Sequence, residues 1–229
     1  MVSVFEGFTE NTRKKGVIDL LVTQSKTDVG YFFLLSVASL ITTLGLTIDR
    51  PSVVIGGMLI APLLSPILAL GLALTTISMK AVLRSAMGIV GSVSVVVFWA
   101  FVVSLFVHSE NYLTSEMLMR GSYTNYYLAI AFLSGLGATY AWIEPIISSA
   151  LPGVAVAVSL LPPLCVSGIS LAQKNWELFL NSSKIFCANI IGIIFASIIL
   201  FLLFRFSKFK RFQEKRIDRV DEPLASKTK

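Results

Sequence analysis

Two pairs of prolines set in apolar surroundings are the residues of this chain best placed to do chemistry. Pro62 and Pro66 stand four apart in one apolar stretch, and Pro162 and Pro163 stand side by side in another. A proline has no N–H to donate, and its ring crowds the carbonyl four residues earlier. Pro62 and Pro66 should therefore release the carbonyls of Met58 and Pro62, and Pro162 and Pro163 those of Val158 and Ser159. In hydrocarbon such carbonyls are costly, so each break must face protein, water or a ligand. Nearby, Gly71 and Gly168 permit close backbone approach, while the hydroxyls of Ser65 and Ser159 can replace part of a solute's hydration. The chemistry on offer is passage of a small solute or ion. The expected path runs along Met58, Pro62, Ser65, Pro66, Gly71, Val158, Ser159, Pro162, Pro163 and Gly168. The same residues also suit plain packing kinks, with Ser and Thr satisfying the carbonyls.

Other chemistries find little material. Ionisable residues inside a membrane segment are expensive and functional by default, and here the segment interiors carry none. Asp49 and Glu144 lie at segment ends, where they could act as gates or ion ligands or simply cap helices, and Asn189 is the one interior amide. His108 is the only histidine and has no partner at metal-ligand spacing. Cys165 and Cys187 both sit in apolar runs, as small hydrophobes do. No phosphate-cradling glycine loop with its Lys-Ser/Thr signature is present. The expectation is no catalysis, no metal and no cofactor.

The elements that must position the prolines follow from composition. The chain has 229 residues, 55% of them hydrophobic and 14% charged, with a mean hydropathy of +0.81. Soluble domains carry about 25% charged residues, so an ordinary cytosolic domain is excluded. A bilayer core takes about 20 apolar residues per helix, which gives membrane segments near 30–48, 52–77, 85–107, 126–143, 146–172 and 184–204. Before them, Val17, Ile18, Leu21 and Val22 suit a short interfacial helix, and no signal-peptide pattern precedes the first segment. With both ends in the cytoplasm, fifteen of the nineteen Lys and Arg fall on the inner side, as the positive-inside rule asks. A four-span arrangement, with the second and fifth segments only dipping in, satisfies the charge rule nearly as well, and segment length favours six.

The two proline segments also resemble one another. At an offset of 97 residues, Gly56 falls on Gly153, Leu63 on Leu160, Pro66 on Pro163, Gly71 on Gly168, Leu74 on Leu171 and Ser85 on Ser182. Each half then reads span, acid, proline, long broken segment, polar turn, span. Three crossings per half is odd, so the halves are expected to be inverted across the membrane, an arrangement whose sites form where broken helices meet. The expected fold is an all-α polytopic membrane protein of two inverted three-segment repeats. Its parts are a cytoplasmic or interfacial segment (1–29), repeat 1 (30–107), an external loop (108–125), repeat 2 (126–204) and a basic cytoplasmic tail (205–229).

That tail alternates bases with Phe206, Phe209 and Phe212. Arg205, Lys208, Lys210 and Arg211 are expected to hold it as a helix on an anionic inner leaflet, with no role for nucleic acid, and the last few residues read as disordered. Small-residue faces suit a homo-oligomer.

The stretch YFFLLSVASLITTLGLTIDRPSVVIGGMLIAPLLSPILALGLALTTIS, with the later LPGVAVAVSLLPPLCVSGISLA, resembles a prokaryotic family of hydrophobic membrane proteins named for domain of unknown function 389. The resemblance covers residues 28 to 204 and rests on both proline motifs at this separation. It implies a multi-pass protein of a bacterial or archaeal cell membrane, and it carries over no catalytic or binding residue. The function expected from the residues is that of a transporter or channel-like protein with its site between two discontinuous helices. The alternative is a non-transporting scaffold or lipid-interacting protein.

Overall fold

The computed structural model describes residues 2–107, 113–120, 126–144 and 150–222, and the side chains of all of these except 2–9, 127 and 150–159. Expectations for His108, most of the external loop and residues 223–229 lie outside the described residues, as do the side chains of Val158 and Ser159. The described chain is helical: α1 (Val2–Gln24), α2 (Val29–Thr47), α3 (Pro51–Ile60), α4 (Leu64–Thr76), α5 (Met79–Phe106), α6 (Ser115–Met119), α7 (Tyr126–Ile143), α8 (Ala150–Ala172), α9 (Trp176–Leu203) and α10 (Lys210–Asp221). A short 3-10 turn, Phe206–Phe209, joins α9 to α10.

Start signals in the sequence explain several boundaries. The carboxylate of Asp28 accepts from the N–H of Tyr31 at the head of α2, and Asn175 does the same for Leu178 at the head of α9. Pro51 opens α3 at a position where its missing N–H costs nothing. Among the described residues three helices, α2, α5 and α9, are long and apolar enough to cross a membrane, and the bent pair α3–α4 makes a fourth if it is one span. Leu128–Ile143 and Leu160–Ala172 are shorter apolar stretches. The described residues thus form an all-helical protein with several helices suited to a bilayer.

Contacts sort the helix ends into two groups. Residues Arg13, Val22, Thr76, Ser78, Lys80, Arg84, Glu144 and the α10 helix meet at one end. At the other end Thr114 donates to the carbonyl of Leu46, Ser115 to Asp49, and Gln173 to Ser104. Between the ends lies a core that includes Leu35, Leu68, Leu72, Val96, Leu160, Cys165, Ile169 and Ile193, all fully or nearly fully buried.

Of the two expected breaks, one is present and the other is not. The second segment breaks at Ala61–Leu63, where α3 and α4 are bent by 53°. The fifth does not break: α8 runs helical through Pro162 and Pro163. Spacing explains the difference. Prolines four apart let α3 end before Pro62 and α4 restart with Pro66 in its first turn, and Pro62 pushes Ala61 into extended backbone (φ −68°, ψ 120°). Adjacent prolines thin the ladder at a single point, and α8, packed by α2, α5, α7 and α9, stays helical through them. The Ser167 hydroxyl donates back to the Pro163 carbonyl at 2.9 Å.

The tail also differs from expectation. α10 forms, but it lies against α1 and the start of α5, with Gln213 and Ile217 buried. Phe206, expected at the lipid surface, is fully buried against Phe201. Likewise Val17, Ile18, Leu21 and Val22 of α1 enter the common core.

Candidate membrane pathway

The break between α3 and α4 is where the apolar body has least regular backbone. Ala61 is extended, Leu63 begins the next turn (φ −69°, ψ −24°), and no side chain caps α4. Pro66 sits in the first turn of α4, where its absent N–H removes no ladder bond. Met58, Ser65, Pro66 and Gly71 are buried around the break, and Pro62 is half-buried.

Facing this break, α2 presents small and hydroxyl residues. Gly57 of α3 packs against Thr42 so closely that a methyl group there would lie 2.9 Å from the Ala38 carbonyl. Gly45 packs on Val54 in the same way, with 2.8 Å to its nitrogen. The Thr42 hydroxyl is fully buried and has no hydrogen-bond partner among the described residues. Ser39, one turn earlier, donates to the Val96 carbonyl at 3.1 Å and lies 4.0 Å from the Cys165 sulfur. Tyr31 and Ser92 pair through their hydroxyls at 2.7 Å. Sequence reading placed none of Ser39, Thr42 and Tyr31 at the site. Their hydroxyls, each within one uncharged stretch, were the signal that could have found them.

From the other half, Pro162, Pro163, Cys165 and Gly168 are buried in α8, which touches both α2 and α3. Gly168 meets α5, where an added methyl group would lie 2.6 Å from the Ala100 Cβ and 2.7 Å from the Val97 carbonyl. Gly71 meets α9 at Ser197 in the same way. At the 97-residue offset Gly71 corresponds to Gly168 and Ala100 to Ser197, so the two contacts are images of each other.

The correspondence extends along both long helices. α5 and α9 are each 28 residues, beginning at Met79 and Trp176. Each follows a left-handed residue, Ile77 (φ 54°) or Lys174 (φ 57°), and a side-chain cap from Ser78 or Asn175. The Ser78 N–H bonds the Ala73 carbonyl at 3.1 Å, and the Asn175 N–H bonds the Ser170 carbonyl at 2.9 Å. The buried stripe of α5, Ala81, Ser85, Gly88, Ser92, Val96, Ala100 and Ser104, falls wholly on buried positions of α9: Leu178, Ser182, Ile185, Asn189, Ile193, Ser197 and Phe201.

The acids at the segment ends are tied to neighbouring elements. Asp49, at φ 54°, accepts from the Ser115 hydroxyl at 2.5 Å and from the Glu116 N–H at 3.0 Å, so it caps α6. Those two hydrogen bonds hold its carboxyl below the usual range. Glu144 pairs with Arg13 of α1 at 2.6 Å. Asn189 is buried midway along the inner face of α9. Arg205, Lys208, Lys210 and Arg211 are all exposed at the α10 end. Among the described residues Lys14 is the only charged side chain that is buried, and no group of three or more His, Cys, Asp or Glu stands close enough to hold a metal ion.

The profile of the family described as "Domain of unknown function (DUF389)" matches residues 58–195, which include the break and the body of α8. A curated relative, an uncharacterised protein of the archaeon Methanocaldococcus jannaschii, is 26% identical over 182 residues, or 77% of this chain and 55% of that protein. The chain thus spans about half the length of the curated relative that it matches. No solved structure matches.

Proposed function

The chain belongs to the DUF389 family, and from that starting point we propose that it moves a small solute or ion across a membrane through the centre where the α3–α4 break meets α8. The observation that carries this reading is the break itself. An extended Ala61 and an α4 with no side-chain cap interrupt the regular backbone of an apolar body, and beside them the buried Thr42 hydroxyl has no partner among the described residues. Such features are tolerated at membrane depth where they line a cavity or meet a ligand.

The proposal includes six crossings arranged as two inverted halves, with both termini on the cytoplasmic side of the cell membrane. Support comes from the matched turns at Ile77 and Lys174, the matched buried stripes of α5 and α9, and the crosswise contacts of Gly71 and Gly168. Helix ends sorted into two groups fit an even number of crossings. Among the described residues the lack of buried charge beyond Lys14 favours a neutral or weakly selected solute. No covalent chemistry is part of this reading.

A second reading, a non-transporting membrane scaffold, draws on one observation: Pro66, Pro162, Pro163 and Cys165 are all buried in this conformation. Transport then requires a second conformation in which water reaches them. The test uses Cys165, fully buried here, in a Cys187→Ala chain, and Ser65→Cys in a chain lacking both native cysteines. In proteoliposomes a membrane-impermeant thiol reagent should label both positions slowly. Protection of both, with Lys26→Cys labelled as control, would favour the scaffold.

A further inference from the structure

Where α10 lies on α1, a cleft is lined by four cations, Lys15, Lys215, Arg216 and Arg219, against one acid, Asp19. The acids of α10, Glu214, Asp218 and Asp221, recur at helical spacing and are all engaged by the bundle: Ser78 donates to Glu214 at 2.8 Å, Lys80 pairs with Asp218, and Arg84 pairs with Asp221 at 2.8 Å. Asp19 of α1 is taken by Arg216. Lys215 and Arg219, one turn apart, are left on the neighbouring side of α10, and Lys15 faces them from α1. None of these three has a carboxylate at ion-pair distance among the described residues.

Between them is a cleft of about 460 Å³. This is within the range of about 300–1,000 Å³ typical of small-ligand sites. The Lys15 ammonium lies 5.8 Å from the centre of the Phe212 ring, which forms one wall. Three like charges around one volume repel unless a counter-charge joins them. The group that fits is one with several anionic oxygens, since the Arg219 fork and two ammonium groups can donate to it together.

We propose that the cleft between α1 and α10 binds a phosphate-bearing anion through Lys15, Lys215 and Arg219. The cleft is lined by Phe212, just after the 3-10 turn that follows the apolar α9, so both a lipid headgroup and a soluble phosphate are candidate occupants. This site is independent of the transport reading.

The test places the full chain in lipid nanodiscs. In one arm, phosphatidylcholine discs are titrated with inorganic pyrophosphate. In the other, discs containing phosphatidylglycerol are examined for retained lipid by native mass spectrometry. Saturable binding is expected in at least one arm, and Lys15→Gln with Lys215→Gln should weaken it by about tenfold. Lys26→Gln with Lys174→Gln removes the same charge elsewhere and should change binding by less than about twofold. Arg219→Gln, on the exposed last turn of α10, gives a second readout with little demand on folding. Binding of pyrophosphate alone assigns the site to a soluble phosphate, and binding of phosphatidylglycerol alone to a lipid headgroup. No saturable binding in either arm, or equal loss in the two double variants, overturns the proposal.

Discussion

Gly71 and Ser197 touch across the α4–α9 contact with no room for a methyl group between them, and what blocks that space is the serine side chain. Its image, Gly168 of α8 against α5, is blocked also by backbone, with the Val97 carbonyl 2.7 Å and the Phe101 nitrogen 3.2 Å from an added Cβ. The difference decides how each site responds to substitution. Alanine gains about 1 kcal/mol over glycine in a helix, whereas overpacking costs about 1–3 kcal/mol.

Gly168→Ala should therefore lower stability by about 1–3 kcal/mol, and Ala100→Gly should not restore it, because the Val97 carbonyl remains. Gly71→Ala should also destabilise, but Ser197→Ala should recover most of the loss by removing the hydroxyl. Thermal unfolding of the purified single and double variants in detergent checks this. Equal rescue at both sites would contradict the geometry.

The Pro62→Ala variant should straighten the α3–α4 pair. It returns an N–H and frees Ala61 from the extended backbone that a following proline favours. Spin labels at the exposed positions Ile55 and Leu74 should move apart as the 53° bend opens, and any flux should fall. Pro163→Ala, inside a helix that is already continuous, should leave backbone geometry almost unchanged. An unaltered label distance in Pro62→Ala would show that packing, not the proline, makes the bend.

Asp49 gives a pH-dependent contact. Its carboxyl is held below the usual range first by the Ser115 hydroxyl and then by the Glu116 N–H. A depressed folded pKa means that the contribution is present above the unfolded value, near 3.8, and is lost as pH falls through the lower folded value. Hydrogen exchange at Ser115–Met119 should stay slow down to about pH 4 and quicken below it. Asp49→Asn, which also tolerates a positive φ, should flatten that dependence and quicken exchange at neutral pH.

Arg84 ties three elements at once. It donates to both carboxylate oxygens of Asp221 at 2.8 and 3.0 Å, to the Val22 carbonyl at 3.2 Å and to Ser25 at 3.1 Å. Lys80 has Asp218 alone, in an exposed pair. Loss of an exposed pair costs about 0.2–1 kcal/mol, and a bidentate arginine with further acceptors costs about 1–3 kcal/mol. Trypsin should therefore clip α10 sooner in Arg84→Gln than in Lys80→Gln. The reverse order would mean that α10 is held by its apolar face alone.

Much of this architecture could be read from apolar run lengths. The segments near 30–48, 52–77, 85–107 and 126–143 correspond closely to α2, α3–α4, most of α5, and α7. The break at Pro62 was legible because proline acts locally on Ala61 and on the ladder. The continuity of α8 was not, because no local rule includes the four helices packed against it. The site was half legible: its prolines and glycines announce themselves, whereas Thr42 looks like any helical threonine until Gly57 is brought against it. In the tail, nine bases drew attention away from Glu214, Asp218 and Asp221, whose helical spacing was the sign that α10 docks on protein.

The grip of α10 on the α4–α5 turn has a consequence for how the molecule would rest. Two inverted halves that exchange conformations would give inward-open and outward-open forms of equal energy only if the halves were identical. The turn at Ile77 is held by Gln213 and Glu214 through Thr76 and Ser78, and its image at Lys174 lies at the opposite end, beyond reach of α10. On the inverted-repeat reading, these contacts make the two halves unequal. The tail would then be one of the differences that decide which of the two forms rests lower.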